Sequence, residues 1–358
     1  MQAEYADHYY KFFVENDDRE LKLLKDYKLV NDYLKSNDWL FISPIFFQGY
    51  ELSTILRLSK TSGDHKLSIL KLIQRKFYDL NYTASFIEGY CNRATYVQPF
   101  LKSIEHSLIL CFQKDYEGSI KTIIPIIEGI LRKYLTTEKG YSNEKIGYKH
   151  LKNSFGEIRL DLIENYGEYL KNYTTENNIQ VCFSEKQIAS LLRRETEYYD
   201  VWFSFANDFF ENSFYLNTSG TTITNEVNRH SILHEFGLDF EYCFENYVKI
   251  YFLLQFLTWV FLKKERKSIL NNIESYRFLE KVYAYEKIIK SSEALLYDKH
   301  ILYKNYDTYN EQVLKEQFPS YQNKLLPPKM HLKQKFFREF GKKMWKLNID
   351  SPINQRTK

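Results

Sequence analysis

Apolar residues recur every three or four positions along most of the chain, and this spacing predicts α-helices almost throughout. Proline and glycine, which interrupt helices, number only 7 and 12 in 358 residues. The clearest prediction is a helical hairpin formed by residues 100–112 and 116–135, with the turn at Lys114 and Asp115. Pro125 falls inside the second helix, where its ring removes one backbone hydrogen bond. The pattern therefore indicates an all-α, multi-helix bundle.

Breaks in this pattern divide the chain into three predicted regions. An amino-terminal helical region covers residues 1–95, a helical core covers 96–300, and a carboxyl-terminal segment covers 301–358. Within the core we predict helices at 158–172, 185–195, 200–214 and 240–263, and a short strand or extended linker at 179–183. A threonine-rich loop at 216–222 precedes a short helix predicted at 225–235. This loop is the clearest break in the middle of the chain.

Composition indicates a folded globular protein, with 44% hydrophobic and 27% charged residues. Aromatic residues are unusually frequent at 17%, including 31 tyrosines and 27 phenylalanines. Two explanations remain open for this excess. Tyrosine, phenylalanine, isoleucine, asparagine and lysine are all encoded by AT-rich codons, and aromatic side chains also stack on nucleic-acid bases.

The cysteines and the apolar stretches bear on the cellular location of the protein. Four cysteines are scattered without close pairing, so neither a disulfide framework nor a zinc knuckle is indicated. The first residues are acidic and aromatic, whereas a secretory signal begins with basic and then apolar residues. The longest apolar stretch, residues 250–262, is shorter than the roughly 20 residues that cross a bilayer. We therefore expect a cytoplasmic protein with no membrane segment.

The carboxyl-terminal segment is strongly basic. Residues 329–358 carry nine Lys or Arg against two acids, and aromatic residues interleave with the basic ones at helical spacing. Such a helix can dock on the protein body, contact a nucleic-acid backbone or lie on an anionic membrane. Docking and nucleic-acid contact can coexist, and we favour nucleic acid over membrane. The candidate RNA-binding residues are Lys333, Lys335, Arg338, Lys342, Lys343 and Lys346.

The strongest chemical signal lies in the short helix after the threonine-rich loop. Arg229 and His234 stand five positions apart in the sequence Arg-His-Ser-Ile-Leu-His. A guanidinium grips a phosphate through two parallel hydrogen bonds, and an imidazole transfers protons near neutral pH. Cleavage of RNA without a metal needs a base for the 2′-hydroxyl, a cation at the phosphate and a proton donor for the leaving oxygen. Arg229 is the candidate phosphate clamp and His234 the candidate base or acid.

This segment resembles the signature of the HEPN superfamily, in which an arginine and a polar residue precede a histidine by four to six intervening residues. The polar residue here is His230, and Glu235 stands where many members have glycine. The helix around Glu128 is also similar to the acidic helix that precedes the motif in some bacterial members. The resemblance implies a helical, metal-independent endoribonuclease that is active as a dimer, with both motifs meeting in one composite cleft. It further implies a bacterial antiphage or toxin-like role, with a neutralising or regulatory protein as a possible partner.

Helix geometry supplies an independent reason to expect a homodimer. Residues five positions apart on one helix point about 140° away from each other, since each residue turns the helix by roughly 100°. Arg229 and His234 of one chain therefore do not aim at the same atom, whereas two motif helices related by symmetry can combine them. Asn225, Asn228 and His230 are candidate orienting groups.

Glu128 admits two interpretations from its position in the sequence. It stands four residues before Arg132, a spacing that favours a local ion pair on the helix surface. Alternatively, Glu128 orients the motif arginine or its partner, which makes it a further orienting candidate.

Two other functions remain open. His230 and His234 share one helix face and could supply half of a metal site, but Ser231 stands where the zinc-protease pattern needs glutamate. We therefore expect no metal and no cofactor. The non-enzymatic alternative is a helical scaffold for RNA binding or dimerisation, in which Arg229 pairs with a carboxylate such as Glu226 or Glu128.

Overall fold

The regularly spaced apolar residues form helices in the computed structural model, which describes residues 2–37, 39, 45–46, 49–175, 179–215, 227, 229–234, 240–266 and 275–302. The α-helices are α1 (Gln2–Lys35), α2 (Tyr50–Leu58), α3 (Lys66–Phe77), α4 (Leu80–Ser85), α5 (Leu101–Phe112), α6 (Tyr116–Glu138), α7 (Tyr148–Lys171), α8 (Glu185–Phe209), α9 (Arg229–His234), α10 (Phe244–Lys264) and α11 (Ser275–Leu302). Single π-helical turns extend α4 over Phe86–Cys91 and α8 over Phe210–Phe214. The prediction of an all-α protein is confirmed for the part of the chain that the structure describes.

The predicted helical hairpin is α5 and α6, and its turn lies where the sequence places it. Asp115 caps α6, because its carboxylate accepts a hydrogen bond from the backbone N–H of Gly118 at 2.9 Å. Lys114 takes the left-handed conformation that reverses the chain, with φ of 61°. Pro125 lies inside α6 on its exposed side. Gly129 lets the hairpin close, because a Cβ there would lie 2.6 Å from the Phe100 ring.

Helix α10 is buried around almost its whole circumference, as the apolar run in the sequence predicts. It contacts α6, α7 and the π-helical turn after α4. Its rings join the aromatic core at both ends, where Tyr247 and Tyr251 pack against Phe77 and Phe256 packs against Phe155 and Phe203. Many of the aromatic residues that raise the composition to 17% therefore fill the core.

The structure decides between two alternatives in the middle of the chain and corrects one prediction there. Residues 179–183 form the linker and not the strand, since within the described range the chain makes one isolated bridge between Thr174 and Gln180. The helices predicted at 185–195 and 200–214 are one continuous α8, because neither glycine nor proline separates them. Ser184 caps this helix, since its hydroxyl accepts from the Gln187 N–H and the Gln187 side chain returns to the Ser184 N–H.

Helix α1 is one of the elements that attach the amino-terminal region to the rest of the bundle. This helix packs along α8 and against α2, and the Tyr10 hydroxyl donates to Ser190 at 3.1 Å. Met1–Ser292 form one compact unit and Glu293–Lys358 a second. The domain boundaries at residues 95 and 300 stay predictions. Among the described residues, no helix is long and apolar enough to cross a membrane.

Candidate functional site

The motif arginine opens helix α9, which packs against α6. Its guanidinium contacts both oxygens of the Glu128 carboxylate in the middle of α6. Nε lies against Oε1, and Nη2 donates to Oε2 at 3.2 Å. The Arg229 side chain is 27% exposed, whereas that of Glu128 is 11% exposed. The pair therefore places a positive group at the protein surface with its negative partner beneath it.

Tyr215 is the third member of this cluster. Its hydroxyl donates to Glu128 Oε1 at 2.7 Å, and its ring lies 5.7 Å from the Arg229 guanidinium carbon. Burial, followed by the Glu128 charge, raises the pKa of Tyr215 well above its ordinary value. The hydroxyl therefore keeps its proton at neutral pH and remains a donor to the carboxylate.

Tyr215 is itself held by the start of α7. The Tyr148 hydroxyl donates to the Tyr215 backbone oxygen at 3.1 Å, and the two rings lie 5.4 Å apart. Arg132 fixes the loop before α7, donating to the carbonyl oxygens of Ile146 at 2.8 Å and Asn143 at 3.4 Å. The cluster thus connects α6, α7, the end of α8 and α9.

These contacts show that Glu128 pairs with Arg229. Its carboxylate oxygens accept from Tyr215 and contact Arg229, while the Arg132 guanidinium is directed to backbone carbonyls. A carboxylate removed from water costs several kcal/mol unless it is paired and hydrogen-bonded, and here both conditions are met. The Arg229–Glu128 pair is the contact expected both of an orienting carboxylate and of a purely structural arginine.

The structure places the other predicted site residues as follows. His230 and His234 occupy the second and last positions of α9. Asn225, Asn228 and the basic residues of the carboxyl-terminal segment, from Lys333 to Lys346, lie outside the described residues. Among the residues that are described, no group of three His, Cys, Asp or Glu side chains could hold a metal ion.

Sequence reasoning missed Tyr215 and Tyr148 as parts of the site. Tyr215 ends the aromatic stretch before the threonine-rich loop, and its partner Glu128 stands 87 positions earlier. Helical periodicity reports only neighbours on one helix, so it gave no signal for this contact.

Comparison with family models, with curated proteins and with solved structures finds no match to this chain.

Proposed function

We propose that this chain is a metal-independent endoribonuclease whose site is completed by a second copy of the chain. In this reaction the ribose 2′-oxygen attacks the adjacent phosphorus, and the bond from phosphorus to the 5′-oxygen breaks. One histidine takes the 2′-hydroxyl proton, and a proton is delivered to the leaving 5′-oxygen. Arg229 stabilises the negative charge that builds up on the phosphate oxygens. His234 is the proposed base or acid.

The observation that carries the proposal is the way Glu128 holds Arg229. The carboxylate engages the Nε and Nη2 edge of the guanidinium, so the two N–H groups on Nη1 are not used by Glu128. A guanidinium held along one edge is preorganised to receive a phosphate along another, because its orientation no longer has to be fixed on binding. Its partial exposure supports access for a phosphate.

The need for a second chain follows from the length of α9. Arg229 and His234 are the first and last residues of a six-residue helix. An ideal helix turns roughly 100° per residue, so positions this far apart lie about 140° from each other around the axis, and we do not expect one copy to bring both groups to one phosphate. A symmetric pair of α9 helices would bring the arginine of one copy towards the histidine of the other.

A non-catalytic scaffold is the second candidate, and a specific observation favours it. The Arg229–Glu128 pair lies within one chain and links α6 to α9, which is the arrangement of a structural ion pair. In that case the motif would stabilise the short helix, and RNA binding or dimerisation would need no cleavage. The antiphage or toxin-like role and a neutralising partner rest on the family resemblance and accompany the ribonuclease proposal only.

Expression in bacteria separates the two candidates. Wild type, His234→Ala and Arg229→Ala are produced at equal levels, and the 5′ ends of cellular RNA are sequenced. We expect new 5′-hydroxyl ends in cells that make the wild type and their loss with both variants. Arg159→Ala is the matched control, because Arg159 is 29% exposed and also pairs with a carboxylate, that of Asp200. Its RNA ends should match those of the wild type. Identical RNA ends in all four strains would contradict the ribonuclease proposal and favour the non-catalytic scaffold.

A further inference from the structure

Helices α2 and α3 form a strongly basic hairpin at residues 50–77. The hairpin carries six Lys or Arg against two acids, an excess as large as the net charge of +4 of the whole chain. The basic residues are Arg57, Lys60, Lys66, Lys71, Arg75 and Lys76. An excess of positive charge in so short a segment points to an anionic partner.

Three of these basic side chains, those of Arg57, Lys71 and Arg75, lie on one exposed face. On α2 the exposed positions are Tyr50, Ser53 and Arg57, spaced by three and four residues. On α3 the stripe of Leu67, Lys71 and Arg75 is exposed at a spacing of four. The two stripes meet where the Arg75 guanidinium carbon lies 5.7 Å from the centre of the Tyr50 ring. This contact joins the start of α2 to the end of α3, so the helices run antiparallel.

The opposite sides of both helices are fixed in the core. Leu52 and Ile55 of α2 are buried, as are Ile69, Leu72, Ile73 and Phe77 of α3. Phe77 is fully buried and packs against the rings of Phe112, Phe244, Tyr247 and Tyr251. The exposed face is therefore held on a rigid support, which preserves the spacing of its charges.

The two acids of the hairpin do not neutralise this face. Glu51 pairs with Lys76 at 3.8 Å, and both side chains are less than one-fifth exposed. Asp64 lies in the turn, where its carboxylate accepts from the Lys66 backbone N–H at 3.0 Å. The face itself, made of Tyr50, Ser53, Arg57, Leu67, Lys71 and Arg75, contains no acid.

We infer that this face binds the backbone of single-stranded nucleic acid, with Tyr50 stacking on a base. Phosphate contacts by Arg57, Lys71 and Arg75 supply sequence-independent attraction, and the Tyr50 side chain, 60% exposed, offers a ring to a base. An anionic membrane fits less well, because membrane-surface helices need an apolar stripe. Here the exposed apolar residues are Tyr50 and Leu67, at opposite ends of the hairpin. Binding at this face needs neither Arg229 nor His234, so it goes beyond the proposed function.

Fluorescence anisotropy with a labelled single-stranded 2′-O-methyl oligonucleotide tests this inference, because that probe has no 2′-hydroxyl to attack. We compare wild type with the triple variant Arg57→Gln, Lys71→Gln, Arg75→Gln. The matched control replaces three exposed lysines of α1, Lys22→Gln, Lys25→Gln and Lys28→Gln, with the same change in charge. We expect the triple variant to bind at least about tenfold more weakly, and its slope of log K against log salt to be shallower by about 2, from about 0.7 per lost phosphate contact. The control should stay within about twofold of wild type.

Two further measurements sharpen the test. Tyr50→Ala should weaken binding several-fold while Tyr50→Phe keeps it, because stacking needs the ring and not the hydroxyl. Equal affinity and salt slope for the triple variant and the α1 control would overturn the inference. So would loss of binding to phosphatidylserine vesicles by the triple variant while its oligonucleotide affinity is unchanged. The probe cannot be cleaved and the substituted residues lie on α2 and α3, so absence of RNA cleavage would not affect this result.

Discussion

Glu128 is the side chain on which the candidate site is built. It is 11% exposed, yet it carries a charge that is balanced by Arg229, 101 positions away, and hydrogen-bonded by Tyr215. Removal of one partner from a buried ion pair leaves the other charge uncompensated, which costs more than the pair contributes. Exposure of part of the Arg229 side chain to water reduces this cost. Glu128 therefore contributes to stability whether or not the site is catalytic.

Replacement of Glu128 by glutamine should lower the free energy of unfolding by about 2 kcal/mol, because the amide keeps an acceptor for Tyr215 but removes the charge opposite Arg229. Urea denaturation at pH 7 measures this loss. Glu117→Gln is the control, since Glu117 and Lys121 form an exposed pair one turn apart on the same helix. That change should cost less than about 0.5 kcal/mol. Equal losses in the two variants would show that the Glu128–Arg229 pair stabilises the fold no more than an exposed ion pair does.

A ring packs closely on α6 at Gly129, near the start of α5. Gly129 follows Glu128 directly, and the Phe100 ring occupies the space that a side chain would take. Gly156, in the middle of α7, is exposed and has no atom within 4 Å of the position of its missing Cβ. Both glycines stand inside helices, where alanine is intrinsically preferred by about 1 kcal/mol. Packing around each glycine therefore decides whether its replacement by alanine raises or lowers the free energy of unfolding.

Gly129→Ala should lower the free energy of unfolding by about 1–3 kcal/mol, because the added methyl group collides with the Phe100 ring. Gly156→Ala should raise it by about 0.5–1 kcal/mol, because alanine reduces the entropy of the unfolded chain without a clash. Thermal and urea unfolding of the two variants beside wild type provide the comparison. Stabilisation by Gly129→Ala would mean that the hairpin is more open at this position.

The sequence was sufficient to predict the positions of helices that have one strong apolar stripe or are buried on all sides. The α5–α6 hairpin and α10 are confirmed to within a few residues of their predicted ends. It left a strand and a linker open at 179–183, where the structure has a linker before the cap at Ser184. It could not find Tyr215 because that contact joins distant helices, and packing between helices leaves no periodic signal in either one.

A polar contact links the ends of two central helices of the bundle, α6 and α10. Glu138, at the end of α6, accepts a hydrogen bond from the Tyr96 hydroxyl and pairs with Lys264 of α10 at 2.9 Å. The Tyr96 hydrogen bond and then Lys264 lower the pKa of Glu138 below its ordinary value. One carboxylate thus connects the segment before α5 with the two helices at the centre of the fold.

This lowered pKa predicts a pH dependence of stability. A carboxyl whose folded pKa lies below its unfolded value stabilises the fold above the unfolded value, about 4.3, and loses that effect as pH falls through the folded pKa. Glu138→Gln should therefore be less stable than wild type by about 1 kcal/mol at pH 7, with the difference shrinking below about pH 4. Urea unfolding at pH 7, 5, 4 and 3 gives the two curves. A difference that stays constant down to pH 3 would contradict the assignment to the charged carboxylate.

Cleavage of a labelled RNA by the purified chain in the presence of EDTA tests the ribonuclease proposal most directly. We expect the wild type to produce fragments that end in 2′,3′-cyclic phosphate, and Arg229→Ala and His234→Ala to be slower by at least about 100-fold. Both variants should keep the helical content of the wild type. Equal rates in the three proteins, or cleavage only after a divalent metal is added, would contradict the proposal.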